Sequence, residues 1–209
     1  ARDAWDAVVC WSSVGEETFR NGGVRGLRVA HRSSAHIRVQ DRLLREEQDR
    51  TGIPIERPSA WMIDREEREY ALADAILVPS TFVANSFIEM GTAPDRLLMA
   101  PLGVDPLMFR PDPAVVEARC RRIESGAPLR VAYVGTISLR KGMHDFLEIC
   151  RRLPKERFTI SLTGPLNADC TGVAREIASH ATLHPAVPQA RLPRTYADAD
   201  LFEIGRAHV

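Results

Sequence analysis

Four residues in one short stretch, Leu129–Leu153, could do chemistry together: Gly135, Arg140, Lys141 and Gly142. A guanidinium and an ammonium beside a glycine-framed turn suit a diphosphate. Glycine lets backbone approach a ligand, and a helix that starts there offers unpaired N–H groups at the positive end of its dipole. Lys141 also stands out by composition. The chain has 28 Lys and Arg residues, yet only Lys141 and Lys155 are lysines, so the compact ammonium beside a helix start is not the chain's default cation. The other reading of the same residues is a solvated basic loop, since strand–glycine–helix units are common in α/β proteins.

A second candidate is the polar loop His31–His36. It follows the strand-like Leu27–Ala30, and in open parallel sheets ligands bind at the carboxyl ends of strands. Ser80 reads as a helix cap rather than a nucleophile, because no His or acid stands at a diagnostic spacing. Asp105 reads as fixing its own turn. Glu66, Glu67 and Glu69 read as a solvated helix face.

These groups need elements to position them. Val131–Val134 is a short apolar run of the kind that forms a buried parallel strand. Met143, Phe146, Leu147, Ile149, Cys150 and Leu153 then fall close to one helical face. The same alternation runs along the whole chain. Strands are expected over 6–12 (buried), 27–30, 75–79, 97–99, 129–134, 158–162 and weakly 182–185, with the entry to another buried strand at 198–202. Helices are expected over 14–21 (or a turn), 36–49, 62–74, 82–90, 114–124, 173–180 and 192–197. Gly22-Gly23 reads as a turn. Such order predicts mostly parallel sheets. Four prolines between Pro101 and Pro113 mark a stiff connection between domains. No internal repeat is evident.

Composition narrows the function. The chain has 209 residues, 44% hydrophobic and 27% charged, which is ordinary for a globular protein. Its formal net charge is zero, so no overall field draws nucleic acid or an acidic membrane. No apolar run approaches the ~20 residues that span a bilayer, and no segment reads as a signal peptide. Cys10, Cys120, Cys150 and Cys170 form no CxxC, which favours free thiols in a reducing cytoplasm.

Three stretches in this order resemble the family 4 glycosyltransferases: Arg65–Phe87 (REEREYALADAILVPSTFVANSF), Pro101–Pro111 (PLGVDPLMFRP) and Val131–Glu148 (VAYVGTISLRKGMHDFLE). The resemblance spans about Asp6–Phe202. It implies an α/β chain of the GT-B fold, two Rossmann-like domains with mostly parallel sheets, both incomplete. Residues 1–110 would be the acceptor-side domain and 111–202 the donor-binding domain. The start at Ala1 and the missing early glycine-rich loop lead us to expect truncation at the front. The ending Glu203–Val209 (EIGRAHV) resembles translated sequencing adapter, so the native sequence is expected to stop near Phe202. The acidic donor-site motif should lie beyond it, and a fragment of this kind is expected to be inactive alone.

The family resemblance also implies chemistry: transfer of a sugar from a nucleotide-sugar to a glycan, lipid-linked or other glycoconjugate acceptor, with retention at the anomeric carbon. Gly135, Arg140, Lys141 and Gly142 match its donor diphosphate loop, although many members place Arg where Thr136 stands. The charge of the departing diphosphate would be met by the helix start and the basic pair, with no metal and no cofactor. His36 is the candidate acceptor-side histidine because it meets a helix start. His31 is the alternative, and a capping role is the competing reading of His36. The setting implied is bacterial polysaccharide or glycoconjugate assembly in the cytoplasm. Peripheral contact with the inner face of the membrane would be compatible, although no amphipathic basic helix demonstrates it. Two other readings compete: a sugar-nucleotide epimerase of the same architecture, against which LRKG and EREYALAD argue, and a flavodoxin-like binding module, against which the adjacent cations argue.

Overall fold

The computed structural model describes residues 5–21 and 25–205. They divide into two compact units. The first comprises the chain to Arg50 and Glu56–Gly103; the second comprises Thr51–Ile55 and the chain from Val104. The Gly22-Gly23 turn falls outside the described residues.

The first unit holds strands β1 (Ala7–Trp11), β2 (Leu27–His31), β3 (Ala75–Val78) and β4 (Leu97–Met99), all parallel and in that spatial order. Its helices are α1 (Glu16–Arg20), α2 (Ile37–Thr51), α3 (Ala60–Leu72) and α4 (Thr81–Glu89). The core packs Ala30, Ile76 and Val78 of the sheet against Phe19, Ile37, Tyr70, Val83 and Phe87 of the helices. Helix ends follow local chemistry. Ser59 accepts from the Met62 amide, Ser80 accepts from the Val83 amide, and Gly91 closes α4 with φ of +89°.

β1 was expected to be buried, but it is an edge strand among the described residues, with Val9 and Trp11 each 58% exposed. Its apolar, β-branched character marked a strand correctly. Burial depends on what covers a strand, which its own residues do not encode.

The second unit holds β5 (Leu129–Val134), β6 (Phe158–Thr163), β7 (Thr182–His184) and β8 (Leu201–Glu203), again all parallel, in the order β7-β6-β5-β8. Its helices are α5 (Pro113–Glu124), α6 (Met143–Arg152), α7 (Thr171–Ile177) and α8 (Leu192–Ala197). Met143, Phe146, Leu147 and Cys150 of α6 are buried at the i, i+3, i+4, i+7 spacing of one stripe. Ile149, expected on that face, lies off the stripe and is exposed. Glu203 extends β8 one residue past the expected stop by pairing with Tyr133. Leu201 and Phe202 of this strand are exposed rather than buried.

Both sheets carry the same staple. The Arg28 amide donates to Asp74 Oδ2 (2.8 Å), while the Asp74 amide donates to the Arg28 carbonyl (2.8 Å). In the second unit, Arg130 and Asp200 exchange the same two bonds, at 2.7 and 2.8 Å. The residues around them repeat too: LRVA at 27–30 and at 129–132, Ala-Asp at 73–74 and at 199–200. This repeat is too short to notice in sequence and plain once each string begins a strand.

Candidate functional site

The second unit has a topological switch point. From β5 the chain moves outward to β6 and β7, then returns to place β8 on the other side of β5. Crevices at the carboxyl ends of such strands are where open α/β sheets take ligands. Gly135 stands at that end of β5, so the predicted loop lies at the switch point.

Several bonds define the loop. The Gly135 amide donates to the Thr163 carbonyl (3.0 Å), the Ile137 amide to the Pro165 carbonyl (2.8 Å) and the Asn167 amide to the Ile137 carbonyl (2.9 Å). The loops after β5 and β6 therefore run side by side. A Cβ on Gly164 would lie 1.9 Å from the Gly135 carbonyl oxygen, so Gly164 is required for this approach. Buried Tyr133 donates from its hydroxyl to the Thr136 carbonyl (2.8 Å) beneath the loop. Gly135 and Gly164 are far apart in the chain, so the sequence gives no sign of this approach.

Arg140 and Lys141 lie in a 3₁₀ turn, Leu139–Lys141, which Gly142 ends with φ of +79°, and α6 starts directly after. No side chain caps that helix start. Its first i→i−4 bond runs from Phe146 to Gly142 (3.0 Å), which leaves the preceding amides outside the helical ladder. Of the sequence-predicted quartet, Arg140, Lys141 and Gly142 therefore adjoin one helix N-terminus, while Gly135 stands at the end of β5. Lys141 is partly buried, and burial, then the neighbouring Arg140, pushes its ammonium below the usual lysine range. Asp145, in the first helical turn, moderates the positive field, and Gly205 packs so closely that a Cβ there would be 2.6 Å from the Lys141 carbonyl oxygen.

In the first unit the two histidines have different surroundings. His36 is 5% exposed and packs against Tyr70 and Phe87, with ring centroids 5.1 and 5.0 Å away. Its amide donates to Ser86 Oγ (2.8 Å), and its Nδ1 accepts from the Arg38 amide (3.3 Å) at the start of α2. Burial holds its pKa down at about 4. A recess of about 210 Å³, lined by residues including Glu67, Tyr70 and Arg96, adjoins it. His31 instead ends β2 at the carboxyl edge, half-buried and stacked on Trp11 at 4.1 Å.

A buried polar network sits beneath that stack. Glu66 and Glu69, expected to be solvated, are 1% and 0% exposed. Glu66 accepts from Arg32 (2.9 Å), from the Ser13 hydroxyl and from the Tyr70 hydroxyl. Glu69 accepts from the amides of Ser13 (2.6 Å), Gly15 (2.9 Å) and Glu16 (3.2 Å). Burial raises the Glu69 pKa, against these amide bonds. Only Glu67 behaves as expected, pairing with Arg38 at the surface. Spacing alone put residues 66, 69, 70 and 73 on one face of α3. What turned that face inward lies fifty residues earlier in the chain.

Ser80 and Asp105 serve backbone. Asp105 Oδ1 accepts from the amides of Leu107 (2.8 Å) and Met108 (3.3 Å). All four cysteines are free. Among the described residues, no three His, Cys, Asp or Glu side chains form a metal-binding group, and no helix is long and apolar enough to cross a membrane.

Parallel four-stranded sheets in both units match the Rossmann-like units of the GT-B fold. No family model matches the chain, and no curated protein matches it by sequence. Solved structures do match. HepE from Anabaena, in complex with UDP and glucose, is similar with a TM-score of 0.60 at 13% identity, over 95% of this chain and 52% of that one. Sucrose-phosphate synthase from Thermosynechococcus elongatus gives 0.66 at 16% identity, over 95% and 49%. The catalytic domain of starch synthase IV from Arabidopsis thaliana, bound to ADP and acarbose, gives 0.59 at 12% identity, over 96% and 52%. At such identities the likeness establishes the fold. The chain spans about half the length of these proteins.

Proposed function

We propose that this chain is part of a nucleotide-sugar-dependent glycosyltransferase of family 4, moving a sugar with retention to a glycan, lipid-linked or other glycoconjugate acceptor. The observation that carries the reading is the β5–α6 turn. Gly135 and Gly164 bring two backbones together at the switch point, and Gly142 opens a helix whose uncapped start adjoins Arg140 and Lys141. A departing nucleoside diphosphate accumulates negative charge, and amides fixed before it arrives stabilise that charge without reorganising. The partly dehydrated Lys141 gains most from an anion, because a phosphate would relieve the desolvation that lowers its pKa. The reading calls on no metal or cofactor, since the two cations and the helix start do the neutralising. Fold neighbours that hold UDP or ADP support the choice of ligand class.

On the acceptor side, the geometry favours His31 over His36. His31 reaches the ligand edge of the sheet, whereas His36 is enclosed by aromatic rings and holds the start of α2. We place the acceptor-side role on His31 and a packing and capping role on His36. The setting we propose is glycan or glycoconjugate assembly in the cytoplasm, at or near the inner face of the membrane.

The test is a nucleotide titration read by thermal shift. UDP, GDP or ADP, or their sugars, should stabilise the full-length protein, and Lys141→Ala should abolish the response without lowering the melting temperature measured in the absence of ligand. Stabilisation by flavin alone would instead assign the fold to a binding module.

A further inference from the structure

We propose that Glu66 and Glu69 are positioning residues: their carboxylates hold the turn Ser12–Glu16 and the guanidinium of Arg32 so that Trp11 and His31 stay stacked at the carboxyl edge of the first sheet. The functional consequence rests on the reading above, in which His31 meets the acceptor sugar.

The connections are direct. Ser12 follows Trp11 and Arg32 follows His31, so the two stacked rings are each one residue from the network. The Ser12 amide donates to the His31 carbonyl (3.0 Å), and Arg32 Nη1 donates to Ser12 Oγ (3.2 Å) and to Glu66 Oε1 (2.9 Å). Arg32 is itself buried, and its remaining donors go to the Ala35 carbonyl (3.1 Å) and to Gln40. Every arm of the guanidinium is therefore fixed from a different part of the unit.

The turn it braces is strained. Ser13 has φ of +76°, and it is the only described non-glycine residue with positive φ. That conformation costs on the order of 1–3 kcal/mol and persists where surroundings enforce it. Here both carboxylates enforce it: Glu69 binds the Ser13 amide and Glu66 binds the Ser13 hydroxyl. If α3 had only to pack, apolar residues of similar volume would serve as well, and burying two carboxylates would be the costlier solution. Carboxylates instead fix direction, because five of their bonds go to one turn and one guanidinium.

The stack supplies the readout. A proton on a ring stacked at 4.1 Å is displaced upfield by the neighbouring indole. The His31 ring proton signal, identified by its loss in His31→Asn, is followed by NMR in the free chain. Trp11→Ala defines its position without the stack, and His36, packed against Tyr70 and Phe87, reports whether the core remains folded. Glu69→Gln and Glu66→Gln should move the His31 signal to, or most of the way toward, its Trp11→Ala position with His36 unmoved. A His31 signal that stays in place in both variants overturns the proposal. Should both variants unfold, Ser12→Ala decides, since it removes one Arg32 bond without touching α3. A partial move then supports the proposal, and no move overturns it. The measurement uses neither donor nor acceptor, so its failure is separate from failure of the transferase reading, which the nucleotide titration tests.

Discussion

The carbonyl oxygen of Gly135 occupies the space where any side chain on Gly164 would begin, 1.9 Å from the ideal Cβ position. Gly164→Ala must push apart the two loops that form the switch-point turn. We expect a loss of about 3 kcal/mol, measured as a lower urea midpoint, together with loss of nucleotide response. Gly135→Ala would place a side chain at a φ of +156° and 2.9 Å from the buried Tyr133 hydroxyl, so it too should lower the midpoint.

Lys141→Ala separates binding from folding. The ammonium is held below its usual pKa by burial and by Arg140, so removing it removes an unfavourable charge. Melting temperature should stay level or rise slightly, while turnover of a nucleotide-sugar by the full-length enzyme should fall roughly a hundredfold, the usual cost of one preorganised charge-stabilising group. Unaltered turnover would remove the diphosphate clamp from the mechanism.

Acid should destabilise the first unit in two stages. His36 has its folded pKa lowered to about 4, whereas an unfolded histidine titrates near 6.5. The unfolded chain therefore binds the proton first, and stability present above pH ~6.5 declines as pH falls toward 4, by up to about 3 kcal/mol. Asp74, lowered to about 2 by its hydrogen bonds from the Arg28 side chain and amide, adds a further loss between pH ~4 and 2. Urea unfolding across pH should lose the first stage in His36→Phe and keep the second.

Arg32→Met should cost about 3–5 kcal/mol, because it leaves the buried Glu66 carboxylate without its counter-charge. Combining it with Glu66→Met should recover part of that loss. Denaturant midpoints of the two single variants and the double variant measure the recovery. If the variants merely add, Arg32 and Glu66 are not energetically coupled.

The sequence by itself determined the order of strands and helices. The α8 limits, the Ser80 cap and the apolar stripe of α6 follow from spacings of a few residues, which local chemistry controls. It also placed Arg140, Lys141 and Gly142 at a helix start, because turn and helix are contiguous in the chain. Tertiary structure alone decided the rest. It put Glu69 under the amides of Ser13, Gly15 and Glu16, gave Gly164 its carbonyl neighbour, set His31 on Trp11 and enclosed His36 in aromatic rings. Each of these contacts joins positions distant in sequence, and a carboxylate or a histidine reads the same on paper whether water or a buried amide will meet it. Only folding settles which of the two it meets.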